Sequence, residues 1–198
     1  MVKTIDYYIC LISPYTYMGD AHLREIAEKH GAVINFVPVN LGGIFPETGG
    51  LPLAKRAPAR QAYRLQELKR WSAFLNIELN LTPKHFPTNE WPAAGMVIAA
   101  KQQGLNCGSL VSAFLTAVWA KELDISDHDT IVTLANEQGF DGKTLLEQAE
   151  DPAIRQIWDI YTTEALTAGV FGAPTYIFDG EIYWGQDRLD FLDRALGA

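Results

Sequence analysis

Thr4-Ile5-Asp6-Tyr7-Tyr8-Ile9-Cys10-Leu11-Ile12-Ser13-Pro14-Tyr15-Thr16 decides how the rest of this chain is read. Residues 4–12 are β-branched and aromatic enough for a buried strand. The run breaks at Ser13-Pro14 and leads into Met18–His30, whose apolar residues recur at helical spacing and whose C-cap is Gly31. Ala32–Leu41 reads as a second strand, so the chain opens β-α-β. At the far end, Gly172-Ala173-Pro174-Thr175 leads into a strand, Thr175–Phe178, and then the two-residue turn signal Asp179-Gly180. A last strand, Glu181–Tyr183, and a helix, Asp187–Leu196, close the chain.

Between these ends the composition changes. Gly42–Ala57 is rich in Gly and Pro, with Gly-Gly pairs at 42 and 49, and predicts a mobile linker. Helical patterns follow over Pro58–Leu75, Trp91–Gln103, Gly108–Lys121, Asp127–Gln138, Asp141–Glu150 and Ala153–Ala168, several with their own start signals such as Pro92, Asp127 and Pro152. The expected organisation is an α/β unit made from residues 1–41 and 169–198. Residues 42–168 form a linker and an inserted all-helical domain.

With 198 residues, 48% of them hydrophobic and 20% charged, the chain can bury a substantial core. A net charge of −8 opposes a phosphate backbone, so no nucleic-acid partner is expected. The N-terminal apolar run is interrupted by Asp6 and no segment is long enough to span a bilayer, so neither a signal peptide nor a membrane role is expected. Two cysteines far apart in sequence, Cys10 and Cys107, do not make a disulfide framework, and a reducing cytoplasm is the default location. Histidines 22, 30, 85 and 128 show no metal-ligand spacing, and no metal is expected.

Ser13-Pro14-Tyr15-Thr16 stands where a redox Cys-Pro-x-Cys loop would, with both cysteines replaced. Gly172-Ala173-Pro174-Thr175 resembles the cis-proline half of a thioredoxin-type fold. These segments, together with Gly169-Val170-Phe171, Trp184-Gly185-Gln186-Asp187-Arg188 and the stretch Phe114–Asp127 with Trp119 and Asp124-Ile125-Ser126-Asp127, resemble the 2-hydroxychromene-2-carboxylate isomerases and kappa-class glutathione transferases of the DsbA-like superfamily. The resemblance covers nearly the whole chain. It implies a thioredoxin-like fold with a large helical insertion, glutathione as cofactor, a small aromatic carboxylate from aromatic catabolism as substrate, and a homodimer.

The resemblance also implies roles, and each has a chemical reason. A thiol's pKa of about 8.5 leaves it mostly protonated at neutral pH. A hydroxyl at Ser13 that donates to the sulfur, beside a helix N-terminus, favours the thiolate. Taken alone, Ser13 is equally a helix cap. Pro174 in the cis form would expose the backbone of Ala173 to pair with the cysteinyl part of glutathione like an added strand. Gln186 and Asp187, at a helix start, suit the carboxylate and ammonium of its γ-glutamyl end, although an acid there also complements the helix dipole. Among Lys55, Arg56 and Arg60, Arg60 best resembles the family's basic residue for an anionic group, and Lys55 and Arg56 are as readily solvated surface charges. Tyr15, Tyr17 and Asn89 are the expected substrate contacts. The family often carries a lysine near Pro46 and an acid at the position of Cys10; this chain departs at both. Phe114, Trp119 and Trp158 are expected in the core, as is Cys10.

The leading expectation is therefore a glutathione-dependent isomerase acting by reversible thiolate addition, bond rotation and elimination. A kappa-class-like transferase and a non-catalytic DsbA-like binding module are the alternatives. A dithiol oxidoreductase is disfavoured, because Ser13 and Thr16 cannot form a disulfide.

Overall fold

The computed structural model describes residues 2–198, so residue 1 of the first segment lies outside them. Its sheet has four strands, β1 (Thr4–Ile9), β2 (Val33–Pro38), β3 (Thr175–Phe178) and β4 (Glu181–Trp184), in the order β2-β1-β3-β4. β1 runs parallel to β2 and antiparallel to β3, and β3 and β4 form a hairpin. The hairpin turn is the one the sequence predicts: Asp179 and Gly180 both take positive φ, 52° and 81°.

The register explains the position of the site. Ile9 pairs with Pro38, Tyr8 with Thr175, and Thr175 with Trp184. The ends of β1, β2 and β4 and the start of β3 therefore lie at one edge of the sheet. Ser13, Asn40, Pro174 and Asp187 leave the sheet at that edge.

Helix α1 (Pro14–His30) begins four residues earlier than its apolar periodicity indicates, because Ser13 caps it and Pro14 occupies its first position. Strand β2 stops short of the predicted Leu41 because that residue already opens α2 (Leu41–Thr48). The predicted mobile linker is therefore largely corrected to ordered structure. The Asn40 side chain caps α2 by accepting the Gly42 N–H at 2.9 Å, and Ile44 is fully buried with Tyr8, Val37, Val39, Ala165 and Val170 in a second small core. A 3-10 turn at Leu53–Lys55 then leads into α3 (Pro58–Leu75).

The remaining helices are α4 (Trp91–Gln102), α5 (Gly108–Trp119), α6 (His128–Glu137), α7 (Gly142–Ala149), α8 (Pro152–Thr167) and α9 (Leu189–Leu196). Each lies within two residues of its predicted span. The closing helix begins as a 3-10 turn, Gln186–Arg188, before α9 takes over at Leu189. α4 is apolar on every side and buried continuously from Pro92 to Ala100, as a helix at the centre of a core must be. Tyr7, Tyr176 and Ile9 of the sheet share one buried cluster with Phe114, Trp119 and Trp158 of the helical segment, as expected for those three aromatics.

Gly19 allows α1 to lie against this edge. A Cβ there would come within 2.6 Å of the Tyr176 hydroxyl and 3.0 Å of the Gln186 Cβ. Gly19→Ala is expected to destabilise the fold by about 1–3 kcal/mol through overpacking, read as a lower urea midpoint at unchanged m-value; an unchanged midpoint would show that the contact gives way freely.

Candidate active site

Ser13 sits where β1 hands over to α1, and 7% of its surface is exposed. Its Oγ accepts the Thr16 N–H at 3.2 Å and donates to the Ala173 carbonyl at 3.3 Å across 160 residues of sequence. The capping role is therefore present, and the same hydroxyl also joins the two loops. The Ala173-Pro174 bond is cis. Gly185 donates its N–H to the Pro174 carbonyl at 2.9 Å, and its φ of 95° takes the chain into the Gln186 turn. Gln186 is buried against α1, whereas Asp187 is exposed and pairs with Arg188 at 2.8 Å.

Ser13, Ala173, Pro174, Gln186 and Asp187 thus share one edge of the sheet. The other expected residues are spread more widely. Tyr15 is half-buried in the first turn of α1, where burial raises its phenol pKa and the positive charge of Arg64 opposes the rise. Tyr17 donates its hydroxyl to the Glu78 carbonyl at 2.7 Å, which ties α1 to the chain after α3. Asn89 is exposed, and its side-chain oxygen accepts the Trp91 N–H at 3.2 Å, leaving its amide N–H groups to point elsewhere. Arg60 is exposed in the first turn of α3.

Two further residues belong to this region. Glu90, at the start of α4, is buried directly behind the Ser13 loop: its carboxylate accepts the Leu11 N–H at 2.5 Å and the Cys10 thiol at 3.2 Å. Burial pushes the Glu90 carboxyl up to about 7, against the opposing bonds from Cys10 and the Leu11 and Ile12 N–H groups. Burial and the neighbouring Glu90 charge likewise raise the Cys10 thiol well above its ordinary range, and Cys10 is buried in the core, as expected. An acid thus reaches the Cys10 position from another element. Glu90 directly follows Asn89, but nothing local to it marks a buried carboxyl.

The second is Arg64, one turn beyond Arg60 on α3 and 8% exposed. Its guanidinium lies 5.5 Å from the centre of the Phe86 ring and 5.8 Å from that of Trp119. Burial lowers its pKa, and Tyr15 opposes that shift.

This arrangement is a thioredoxin-type scaffold whose loop between β1 and α1 carries a hydroxyl and no dithiol. The family model for the DSBA-like thioredoxin domain matches residues 4–197. A 2-hydroxychromene-2-carboxylate isomerase from Sphingobium xenophagum is 30% identical over 99% of each chain. Glutathione S-transferase kappa 1 from Caenorhabditis elegans is 23% identical over 97% of this chain and 90% of its own. The solved structure of a 2-hydroxychromene-2-carboxylate isomerase superposes with a TM-score of 0.82 at 22% identity, covering 98% of this chain and 94% of that one, and shows the shared fold. The chain belongs to the DSBA-like thioredoxin family, in the branch of the 2-hydroxychromene-2-carboxylate isomerases and their kappa-class transferase relatives. No helix among the described residues is long and apolar enough to cross a membrane.

Proposed function

We propose that the protein is a glutathione-dependent isomerase of a 2-hydroxychromene-2-carboxylate-like intermediate of aromatic catabolism. The observation that carries this is the Ser13 hydroxyl, set at the N-terminus of α1 and touching Ala173, in a chain that shares its full length with an isomerase. The kappa-class relative's name supplies the link to glutathione.

The residues fit that tripeptide. Asp187 is exposed at a helix start, with its carboxylate folded back over Gly185, and offers a partner for the γ-glutamyl ammonium. The N–H groups opening at Gln186 suit the neighbouring carboxylate. Ala173 supplies main-chain pairing to the cysteinyl part, with Pro174 turning the chain there, and Arg60 a cation at the entrance. When bound, glutathione supplies a sulfur nucleophile that adds reversibly to a conjugated alkene, so that rotation occurs about a single bond before elimination. Ser13 turns its hydroxyl from the Ala173 carbonyl to the sulfur and, with the α1 N-terminus, lowers the thiol pKa. Tyr15, Tyr17 and the free amide of Asn89 orient the substrate over that sulfur. A cytoplasmic homodimer is part of the same proposal; the two free, buried cysteines suit a reducing compartment.

The test is calorimetric titration of glutathione into the wild type and Asp187→Ala. Loss of one charge-assisted contact is expected to weaken binding by about 10–100-fold. The absence of both heat and thermal stabilisation at millimolar glutathione in the wild type would overturn the proposal. The kappa-class relative also favours a transferase as a second reading, which predicts a released glutathione conjugate with a generic electrophile, whereas the isomerase returns glutathione unchanged.

A further inference from the structure

Arg56, Arg60 and Arg64 recur every fourth residue across the entry to α3. Like charges at that spacing on a helix oppose one another by a few tenths of a kcal/mol. Arg56 is anchored, its Nε donating to the Leu51 carbonyl at 2.8 Å. Arg64 is different. It is nearly buried, yet among the described residues it makes no hydrogen bond and no ion pair. The groups that act on its charge are Tyr15 and a second cation, Arg56. A nearly buried guanidinium held on two aromatic rings with no carboxylate partner leaves its N–H donors unused and open to an anionic ligand.

The surroundings indicate which kind. The guanidinium nitrogens are not among the fully sealed, unpartnered polar atoms of the core, so the head keeps some accessible surface. Its charge is felt by the Tyr15 phenol, in the first turn of α1 and two residues from Ser13. Phe86 and Trp119 pack against the guanidinium, which holds the fork in one orientation. An oriented, desolvated arginine is the cation best matched to a planar, bidentate carboxylate.

We propose that Arg64 is the seat for the substrate's carboxylate and determines selectivity for an anionic ligand, while Arg60, exposed at the entrance, serves the cofactor. The identity of the ligand rests on the isomerase proposal; the preference for an anion does not.

The test uses 2H-chromene-2-carboxylate, which lacks the ring hydroxyl needed for opening, and its uncharged methyl ester. Both are titrated into the wild type, Arg64→Met, Arg64→Lys and Arg60→Ala. The wild type is expected to bind the acid about 10–100-fold more tightly than the ester, the range of one charge-assisted pair. Arg64→Met, which keeps the apolar stem, should bring the acid down to the ester's affinity and leave the ester unchanged. Arg64→Lys should retain an intermediate preference, and Arg60→Ala should retain most of it. Equal binding of acid and ester by the wild type, or a preference that survives Arg64→Met, would overturn the assignment. Should Arg64→Met fail to fold, Arg64→Lys decides: full wild-type discrimination or none at all would overturn it. Glutathione titration of the same wild-type protein separates the two proposals. Acid selectivity without glutathione binding would leave Arg64 standing and remove the isomerase, and glutathione binding without acid selectivity would do the reverse.

Discussion

Ser13→Ala is expected to lower kcat for isomerisation of 2-hydroxychromene-2-carboxylate by about 10²–10³, the usual cost of removing one preorganised donor from a reacting centre. The same substitution deletes the α1 cap, because Ser13 Oγ accepts the Thr16 N–H, and should cost about 1 kcal/mol of stability. The two effects separate in Ser13→Asp. Aspartate caps a helix as well as serine, so stability should recover, but it offers no hydroxyl hydrogen and sets a negative charge against the sulfur. Its turnover should therefore be as low as that of the alanine variant, with the pH at which half of the bound thiol ionises moved upward. A serine that served only as a cap would give the opposite pattern, with activity following stability in both variants.

The second large effect concerns Glu90. Its carboxyl is raised from an ordinary 4.5 to about 7 by burial, so the folded state holds the proton more tightly than the unfolded chain. The sign follows from linkage: the associated stability is fully present below pH 4.5 and is lost as pH rises through 7. Two and a half pH units correspond to about 3 kcal/mol over that window. Glu90→Gln removes the titration, so urea unfolding of the variant should lack the decline between pH 5 and pH 8 that the wild type shows. Asp124, Asp127, Asp141 and Asp193 have carboxyls held below their ordinary values and contribute in the opposite sense at more acid pH. They are common to both proteins and cancel in the comparison. Parallel pH profiles would show that Glu90 is ionised in the fold throughout. Because Glu90 holds the Leu11 N–H two residues before Ser13, the same variant tests whether the loop keeps its position when that acceptor is neutral.

The contrast between Arg60 and Arg64 shows where reading residues in order stops. Both stand on α3, and the family pattern points to Arg60, yet Arg64 is the one enclosed. Its spacing from Leu68, Trp71 and Leu75 puts it on the inward face of α3, but its enclosure is completed by Phe86 and Trp119, 22 and 55 positions further along the chain. Gly42–Ala57 gives the converse case. Glycine and proline there indicate mobility by local propensity, but one buried side chain, Ile44, and one cap, Asn40, are enough to order half of the segment.

The sequence by itself determined what lies within a few residues' reach: strand β1, the Asp179-Gly180 hairpin, the helices from α3 to α8, and a loop after β1 unable to form a disulfide. Side-chain period, caps and turn conformations are local properties, and each is encoded where it acts. Only the tertiary structure decided that Ser13 touches Ala173, that Glu90 reaches the Cys10 position from the start of α4, and that Phe86 and Trp119 pack against Arg64 while Arg60 stays exposed. A charge's state depends on the water, charges and donors around it, and in this chain those come from residues dozens of positions away, brought together by the parallel and antiparallel pairing of one four-stranded sheet.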